Sequence, residues 1–259
     1  MASRKWIYSS LLPLLISSVV MVGVGTNPVR ADSQLRLDGL GVNDCHRQFC
    51  QQSQLLSTAE NNDVVLLIVE TCCNTTISSV SDSSGLTFSE RLSYASRTSS
   101  GGQMIWEYYA VANARLESDN ITVVTDQCCY RVWGMQVLAV SGADTSTVFD
   151  QDPSVPATVS CPGPDCGDCT ANFAHGACSA SIQTTTHDFV IASIPINDAG
   201  PCGPHYPSGS IPGFTNITNQ NGRFEVDYAI TTEQQNYVQV DCNGTDAMAI
   251  VVDAIMASG

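Results

Sequence analysis

The chain has 259 residues and a formal net charge of −15 at pH 7. After residue 31 it contains 25 acidic residues against seven arginines and no lysine, because Lys5 is the only lysine in the sequence. A balance this acidic argues against nucleic acid and anionic membrane surfaces as partners, since both require a basic face.

The first 31 residues have the layout of a secretory signal peptide. Arg4 and Lys5 precede an apolar run over residues 6–24, and the small-residue motif Val29-Arg30-Ala31 follows it. This order predicts cleavage after Ala31. The alternative is a retained membrane anchor, because about eighteen apolar or small residues just span a bilayer. In both cases the rest is exported, and we expect a secreted protein, extracellular or at a cell surface, without direct membrane binding after cleavage.

Strand patterns dominate the sequence after residue 32. Segments rich in Val, Ile, Thr and aromatic residues are separated by clusters of Gly, Asn, Asp, Ser or Pro, as is typical of strands and turns. These segments are 33–37, 63–72, 86–94, 103–112, 120–126, 130–142, 188–196, 213–219, 223–232, 236–242 and 247–255. We therefore predict an all-β fold.

Three of these segments contain nearly uninterrupted apolar runs, at residues 64–69, 189–194 and 249–255. Residues 223–230 instead alternate between apolar and polar, which is typical of a strand with one face in water. The apolar runs predict strands that are buried on both faces, or that are covered by loops or by a neighbouring subunit.

The first half of the chain has a weak echo in the second half. Residues 63–70 are similar in pattern to residues 188–196, and three further segments follow each of them in the same order. Each half alone would expose a whole sheet face, so we expect a shared core. The prediction is a single two-sheet antiparallel sandwich of jelly-roll type at residues 59–259, preceded at residues 32–58 by an arm with the first strand.

A turn-rich insert at residues 151–181 separates the two halves. It contains four prolines and four cysteines and few large apolar residues, too few for a core of its own. We expect the insert to lie on the surface and to be cross-linked by cystine.

Three motifs give the chain a resemblance to a known group. Residues 81–88 contain Ser-Asp-x-x-Gly before Thr-Phe, residues 105–110 read Ile-Trp-x-Tyr-x-Ala, and residues 140–144 read Val-Ser-Gly-Ala-Asp. Over roughly residues 60–255 the chain resembles secreted jelly-roll-like β-sandwich modules of bacterial, archaeal and phage surface proteins, although its many cysteines depart from the usual cysteine-poor members. The resemblance implies this architecture and a surface location, and it leaves activity open because the motifs are packing and turn signals.

The cysteines of an exported chain predict a disulfide framework, whereas the same residues in a cytosol would suggest metal binding. The twelve are Cys45, Cys50, Cys72, Cys73, Cys128, Cys129, Cys161, Cys166, Cys169, Cys178, Cys202 and Cys242. Neighbouring residues on a strand point to opposite faces, so the two adjacent pairs are expected to reach different partners. Up to six bridges follow from this count.

A Cys/His spacing within the insert resembles that of a zinc site. Its candidate ligands are Cys161, Cys166, Cys169, His175 and Cys178. A redox role for Cys166 and Cys169 would require a low-pKa dithiol at a helix start, and the sequence predicts no helix there. Disulfides remain the expectation, so we predict no bound metal and no cofactor.

Four Asn-x-Ser/Thr sequons agree with an external glycoprotein. Their asparagines are Asn74, Asn120, Asn216 and Asn243. The nucleophile motif Gly-x-Ser-x-Gly is absent from the sequence, and the four histidines fall in loops or at strand edges. We therefore predict no catalytic residues and a protein that is not an enzyme.

The expected function is structural, as an extracellular subunit that assembles with copies of itself into a filament or a cell-surface layer. The arm after the cleavage site has Leu35 and Leu37 on a short alternating strand, followed by Gly39 and Gly41 as a hinge. By default the arm lies on its own sheet edge. Alternatively it enters a neighbour's groove and completes the neighbour's sheet, with the two leucines in alternate pockets.

Two other functions are alternatives. A carbohydrate-binding or adhesive module would take surface glycans as partners and would present exposed aromatic residues in a groove. Trp106 and Tyr108 share one face of a predicted strand, and Trp133 lies on another segment. A Cys/His metal-binding or redox protein is the third class.

Overall fold

The structure is a computed structural model that describes residues 34–43, 51–72, 75–96, 102–126, 132–161, 177–196, 211–220, 224–242 and 247–259. All of them belong to one compact unit, Asp32–Gly259. Every regular element in these ranges is a β-strand, and every ladder between strands is antiparallel, so the predicted all-β class is confirmed. The described part of the chain has no helix that is long and apolar enough to span a membrane.

The described strands are numbered in chain order. They are β1 (Arg36–Leu40), β2 (Val42–Asn43), β3 (Gln51–Leu56), β4 (Asp63–Cys72), β5 (Ile77–Ser81), β6 (Ser89–Ala95), β7 (Gln103–Ala112), β8 (Asp119–Thr125), β9 (Val132–Ser141), β10 (Ala157–Ser160), β11 (Cys178–Thr184), β12 (Asp188–Pro195), β13 (Thr215–Gln220), β14 (Phe224–Ile230), β15 (Gln235–Cys242) and β16 (Ala249–Met256).

These strands form four sheets. Inner sheet 1 has the order β1-β9-β4-β7-β6, and inner sheet 2 has the order β10-β16-β12-β14-β13. Outer sheet 1 has the order β2-β3-β8-β5, and outer sheet 2 consists of β11 and β15. The prediction of a single two-sheet sandwich is therefore not confirmed.

Three apolar clusters lie between the successive sheets. One joins outer sheet 1 to inner sheet 1, the second joins the two inner sheets, and the third joins inner sheet 2 to outer sheet 2. Representative members, in that order, are Leu56 with Val65, Leu66 with Phe189, and Ile182 with Val190. Both inner sheets are thus covered on their two faces.

The apolar runs in β4 and β12 explain this layering. In β4, Leu66 contributes to the cluster between the inner sheets, while its neighbours Val65 and Leu67 contribute to the cluster with outer sheet 1. Because successive strand residues point to opposite faces, a strand that is apolar at every position must be covered on both sides. The prediction that these runs are buried on both faces is confirmed.

The two halves of the chain are structural repeats. In the first repeat (β1 to β9) the strand β4 lies between β9 and β7, and in the second repeat (β10 to β16) β12 lies between β16 and β14. The outer strand pairs β3–β8 and β11–β15 also correspond. The weak sequence echo therefore corresponds to a repeated strand arrangement, with each repeat adding its own outer sheet to the shared central core.

The segments predicted as arm and insert contribute strands. Residues 32–58 contain β1, β2 and β3, and residues 151–181 contain β10 and the beginning of β11. In β10, Ala157 to Ser160 pair with Val252 to Ala249 of β16. This part of the insert is the edge of inner sheet 2, because β10 has a strand partner on one side only.

Gly134 of β9 allows the two inner sheets to approach closely. A Cβ atom built on Gly134 would overlap the side chain of Phe224, which is fully buried on β14 of the other inner sheet. Glycine is therefore required here for reasons of space.

We predict that Gly134→Ala lowers the free energy of unfolding by about 1–3 kcal/mol, the usual cost of overpacking a core. Chemical denaturation of the variant and the parent measures this difference. The control is the same substitution in a Phe224→Ala background, where the cost should shrink because two of the three nearest overlapping atoms, Cγ and Cδ1 of the ring, are gone. An equal cost in both backgrounds would show that Phe224 is not the cause.

Candidate functional site

The strand β1 occupies the edge of inner sheet 1. It pairs with β9 from Arg36 opposite Ser141 to Leu40 opposite Leu138, with a bulge after Leu37. Leu35, just before the strand, is 2% exposed and belongs to the central cluster. Leu37 packs partly buried against the same cluster. In the single chain, the predicted assembly arm is therefore docked on its own sheet.

The two arm glycines lie where the chain passes from inner sheet 1 to outer sheet 1. A Cβ atom on Gly39 would overlap the backbone oxygen of Ser57, and one on Gly41 would overlap the side chain of Gln54. Both positions thus require glycine because neighbouring atoms leave no room. This packing differs from the hinge predicted from the sequence.

The side chain of Gln54 continues the β1–β9 ladder beyond the end of β1. Its Nε2 donates to the carbonyl oxygen of Met135 at 2.6 Å, and its Oε1 accepts from the amide of Val137 at 2.8 Å. The amide of Gly41 donates to the carbonyl oxygen of Val137 at 2.8 Å. The backbone hydrogen-bonding groups on this side of β9 are therefore paired first with β1, then with the amide of Gly41 and finally with the side-chain amide of Gln54.

Apolar side chains are exposed at the same place. Val42 is 68% exposed, Leu40 is 40% exposed and Leu55 is 38% exposed. Val42 and Leu55 stand opposite each other in the β2–β3 ladder, and Leu40 lies two residues before Val42. These three side chains, the arm patch, are three of the five exposed large apolar residues in the described part of the chain.

A buried carboxyl pair fastens β1 to the start of β4. Oδ2 of Asp38 accepts from the amides of Ala59 and Glu60 at 2.7 and 2.9 Å. The carboxyl of Asp63 is fully buried, neither of its oxygens has a hydrogen-bond partner within the described residues, and the Asp38 carboxyl is near enough to affect its pKa. The hydroxyl of Thr58 also lies beside Asp63, but it donates to the carbonyl oxygen of Glu60 at 3.1 Å. Burial, with the Asp38 carboxylate second, raises the pKa of Asp63 to about 6.

The second repeat contains the same kind of pair in the equivalent place. Asp150 accepts from the amide of Thr185 at 2.6 Å and from the amide of Asp152 at 2.7 Å. Although burial acts in the opposite direction, these bonds hold the pKa of Asp150 below its usual value. Asp188, the first residue of β12, is fully buried beside it. Burial and the contact with Asp150 raise the pKa of Asp188 to about 7.

A third group of buried charges lies between the inner sheets. Arg91 of β6 donates from Nε and Nη2 to the carboxylate of Asp253 in β16, at 2.8 and 3.2 Å, and its guanidinium lies 4.1 Å from the ring centroid of Phe149. Among the residues that the structure describes, neither carboxyl oxygen of the fully buried Glu107 has a hydrogen-bond partner. Burial, followed by the nearby Asp253, raises the pKa of Glu107 well above its ordinary value. The group therefore contains one ion pair and one neutral acid.

The structure describes only some of the cysteines. Cys161 and Cys178 form a disulfide with their Cα atoms 5.2 Å apart, and Cys242, opposite Cys178 in the β11–β15 ladder, is disulfide-bonded as well. Cys72 is the last residue of β4. The remaining predicted disulfide cysteines lie outside the described residues, and they are Cys45, Cys50, Cys73, Cys128, Cys129, Cys166, Cys169 and Cys202.

The disulfide bears directly on the zinc hypothesis. A bonded Cys161–Cys178 pair has no thiolate to offer a metal, which removes two of the five candidate ligands. Cys166, Cys169 and His175 lie outside the described residues. Among the residues that are described, no group of three or more His, Cys, Asp or Glu side chains is placed to hold a metal ion.

The aromatic side chains of β7 are core residues. Trp106 is 7% exposed, and its Nε1 donates to Oγ1 of Thr71 at 2.9 Å. Tyr108 is buried in the same cluster, between inner sheet 1 and outer sheet 1. They therefore offer no platform for a sugar, and the side chain of Trp133 lies outside the described part.

Two of the four sequon asparagines are described, and both are exposed. Asn120 lies on β8. Asn216 lies on β13, where its Nδ2 donates to Oδ1 of the buried Asp227 at 2.7 Å. Asn74 and Asn243 lie outside the described residues.

Comparison of the chain with models of protein families, with curated proteins and with solved structures found no significant match. The site must therefore be interpreted from its own geometry. Sequence analysis did not single out the carboxyl pairs, although a signal was present. Asp63 and Asp188 open the two segments that echo each other, β4 and β12.

We predict that Asp188→Asn stabilises the protein at pH 8 and has little effect at pH 4. Because burial raises the pKa of Asp188 from 3.8 to about 7, the folded state retains a proton that the unfolded state releases. Stability is thus highest near pH 4, falls as the pH rises to about 7 and then levels off. The difference at pH 8 should reach at most about 4 kcal/mol.

Denaturation midpoints of Asp188→Asn and the parent at pH 4, 6 and 8 measure this effect. The control is Glu233→Gln, which removes an exposed carboxyl and should leave the difference between pH 4 and pH 8 as in the parent. A parent protein that becomes more stable between pH 4 and 7 through Asp188 would contradict the prediction.

Proposed function

We propose that the chain is an extracellular structural protein, a subunit that assembles with its own copies by exchanging the N-terminal strand. The observation that carries the proposal is β1. It fills the edge of inner sheet 1, inserts Leu35 into the central core and ends beside the exposed arm patch. The product would be a filament or a cell-surface layer that is stabilised within each subunit by disulfides.

Exchange of β1 between copies would cause little net loss of hydrogen bonds and apolar contacts. A neighbour's β1 would make the same ladder with β9 and fill the same pocket with Leu35, so the bonds lost in one subunit are regained in the next. The arm patch would then be covered where two subunits meet, which supports the proposal because exposed apolar side chains on a sheet edge favour association.

The location of the protein is part of the same proposal. Cleavage after Ala31 would leave β1 close to the new N-terminus, with Asp32 to Leu35 ahead of it. The disulfide between Cys161 and Cys178 is consistent with an oxidising compartment. We further propose that the chain is a glycoprotein, that it is not an enzyme, and that it shares a jelly-roll-type sandwich with the surface modules it resembles.

The proposal predicts that deletion of Asp32 to Gly41 abolishes assembly. The shortened chain would lack both the strand to donate and the side chain that closes its own core. Size exclusion and electron microscopy of the parent and the deletion variant test this. A synthetic peptide of residues 32–43 should bind the shortened chain and restore its thermal stability, which distinguishes loss of the strand from misfolding.

A matched control is Leu35→Asn, which keeps the backbone ladder but places a polar amide in the apolar pocket. This variant should assemble more weakly than an Ile230→Asn variant, which changes an exposed apolar side chain on β14, outside the arm patch. A deletion variant that stays folded and polymerises like the parent would contradict strand exchange.

A second function, carbohydrate binding, is favoured by one observation on outer sheet 2. Tyr237 of β15 is 62% exposed, its hydroxyl hydrogen-bonds Gln239, and the amide of Gln239 donates to Asp241. An aromatic ring beside an ordered amide and carboxylate resembles the chemistry of sugar-binding surfaces.

If this face binds glycans, Tyr237→Ala should abolish retention of the protein on an insoluble polysaccharide or on a glycan array. Tyr94→Phe, which removes a hydroxyl on inner sheet 1, is the control and should retain binding. An array without hits for the parent protein would exclude this function and leave the structural one.

A further inference from the structure

The carboxyl pair Asp38–Asp63 joins the exchangeable strand to the body of the protein. Asp38 lies on β1, whereas Asp63 is the first residue of β4 and is fixed in the middle of inner sheet 1. The pair is buried, since the side chain of Asp38 is 3% exposed and Asp63 is fully buried. Whether these two carboxyls attract or repel each other therefore affects how firmly β1 is docked.

The nearness of the two carboxyls favours one proton on Asp63. Two ionised carboxylates close together and away from water would repel strongly. The Asp38 carboxyl accepts two backbone amides from the loop before β4. Asp63 holds the proton, because it is fully buried and neither of its oxygens has a hydrogen-bond partner within the described residues.

We propose that the Asp38–Asp63 pair is a proton-dependent latch, which holds β1 on its own sheet in acid and loosens it as the pH approaches neutrality. The step from a loosened β1 to assembly rests on the proposed function. The latch itself is a property of one chain. Near-neutral conditions would then speed strand exchange by raising the population of the open form, and acid would slow it. The balance between closed and exchanged forms would not change, because a neighbour's β1 brings its own Asp38 to Asp63.

No other charged group around the pair can neutralise its negative charge in place of the proton. Arg36 donates to Glu60 at 2.6 Å and reaches Asp38 only at 3.5 Å, and the side chains of Arg36 and Glu60 are each 53% exposed. Their ion pair is open to water and screened by salt. Thr58 has its hydroxyl committed to Glu60, and no lysine or histidine is present on the described elements that pack against the pair.

A bound cation fits the pair less well than a proton does. Calcium takes about six to eight oxygen ligands. Here the described residues supply two buried carboxyls, and one oxygen of Asp38 is already occupied by two amides. The second repeat also favours a bound proton over a cation. Asp150 accepts backbone amides, as Asp38 does, and Asp188 begins an inner strand and has a raised pKa, as Asp63 does.

The direction and size of the pH effect follow from linkage. In the docked chain the pKa of Asp63 is about 6, and in a released arm it returns towards the ordinary value of 3.8. The equilibrium constant for opening therefore rises between about pH 4 and pH 6, by up to roughly a hundredfold, and then levels off. Below pH 4 both forms hold the proton and the latch is fully closed.

Hydrogen exchange followed by mass spectrometry tests the latch on the full chain in dilute solution. We expect protection of residues 34–43, corrected for the intrinsic exchange rate, to fall up to a hundredfold from pH 4 to pH 6.5 and then to stay constant. Asp63→Asn supplies a permanent donor to Asp38 and should give protection that no longer depends on pH. Asp188→Asn is the matched control, and it should leave the pH dependence at residues 34–43 intact.

Three results would overturn the latch. These are constant protection of β1 across this pH range in the parent, an unchanged pH dependence in Asp63→Asn, and restored protection at pH 7 on addition of calcium. If Asp63→Asn fails to fold, Asp63→Ser replaces it, because this substitution also removes the titrating group. If the latch opens as expected but no assembly occurs at any pH, the proposed function fails while the latch remains.

Discussion

The contact between the two inner sheets is the constraint on which the rest of the structure depends. Leu66 and Phe189 lie in the core between these sheets, while Val65 and Val190, their neighbours in sequence, face the outer sheets. Sheets that are apolar on both faces must be covered twice. Each repeat covers one face with its own outer sheet and the other face with its partner repeat, so separating the repeats would expose both inner faces.

This constraint also explains why the buried acids affect how the stability of the protein depends on pH. The strands are apolar along their length, and the acids of the two pairs lie where strands begin or edge segments dock, at positions that water cannot reach. Burial favours the neutral form of a carboxyl group. An acidic protein of this kind gains stability as the pH falls towards 4, both from these protons and from lower repulsion among its surface carboxylates.

The class of fold was predictable because strand patterns, turn residues and doubly apolar runs are local signals. The number of sheets was not, because pairing of β8 with β3 and of β15 with β11 depends on contacts between distant segments. Alternation placed Leu35 and Leu37 on one face of a short strand, and the structure buries Leu35 in the chain's own core, while the role of both residues in assembly stays a prediction. The carboxyl pairs were missed, since a single aspartate before an apolar run is usually read as a turn residue.

The two repeats differ in how their equivalent edge segments, β1 and the segment around Asp150, are joined to the rest of the chain. The segment around Asp150 is continuous with the chain on both sides, whereas cleavage after Ala31 would leave β1 joined on one side only. Under the proposed strand exchange, each subunit would have one strand to donate and one sheet edge to accept a strand. Such units join head to tail, so strand exchange alone would build an unbranched chain, and any two-dimensional layer would need a second kind of contact.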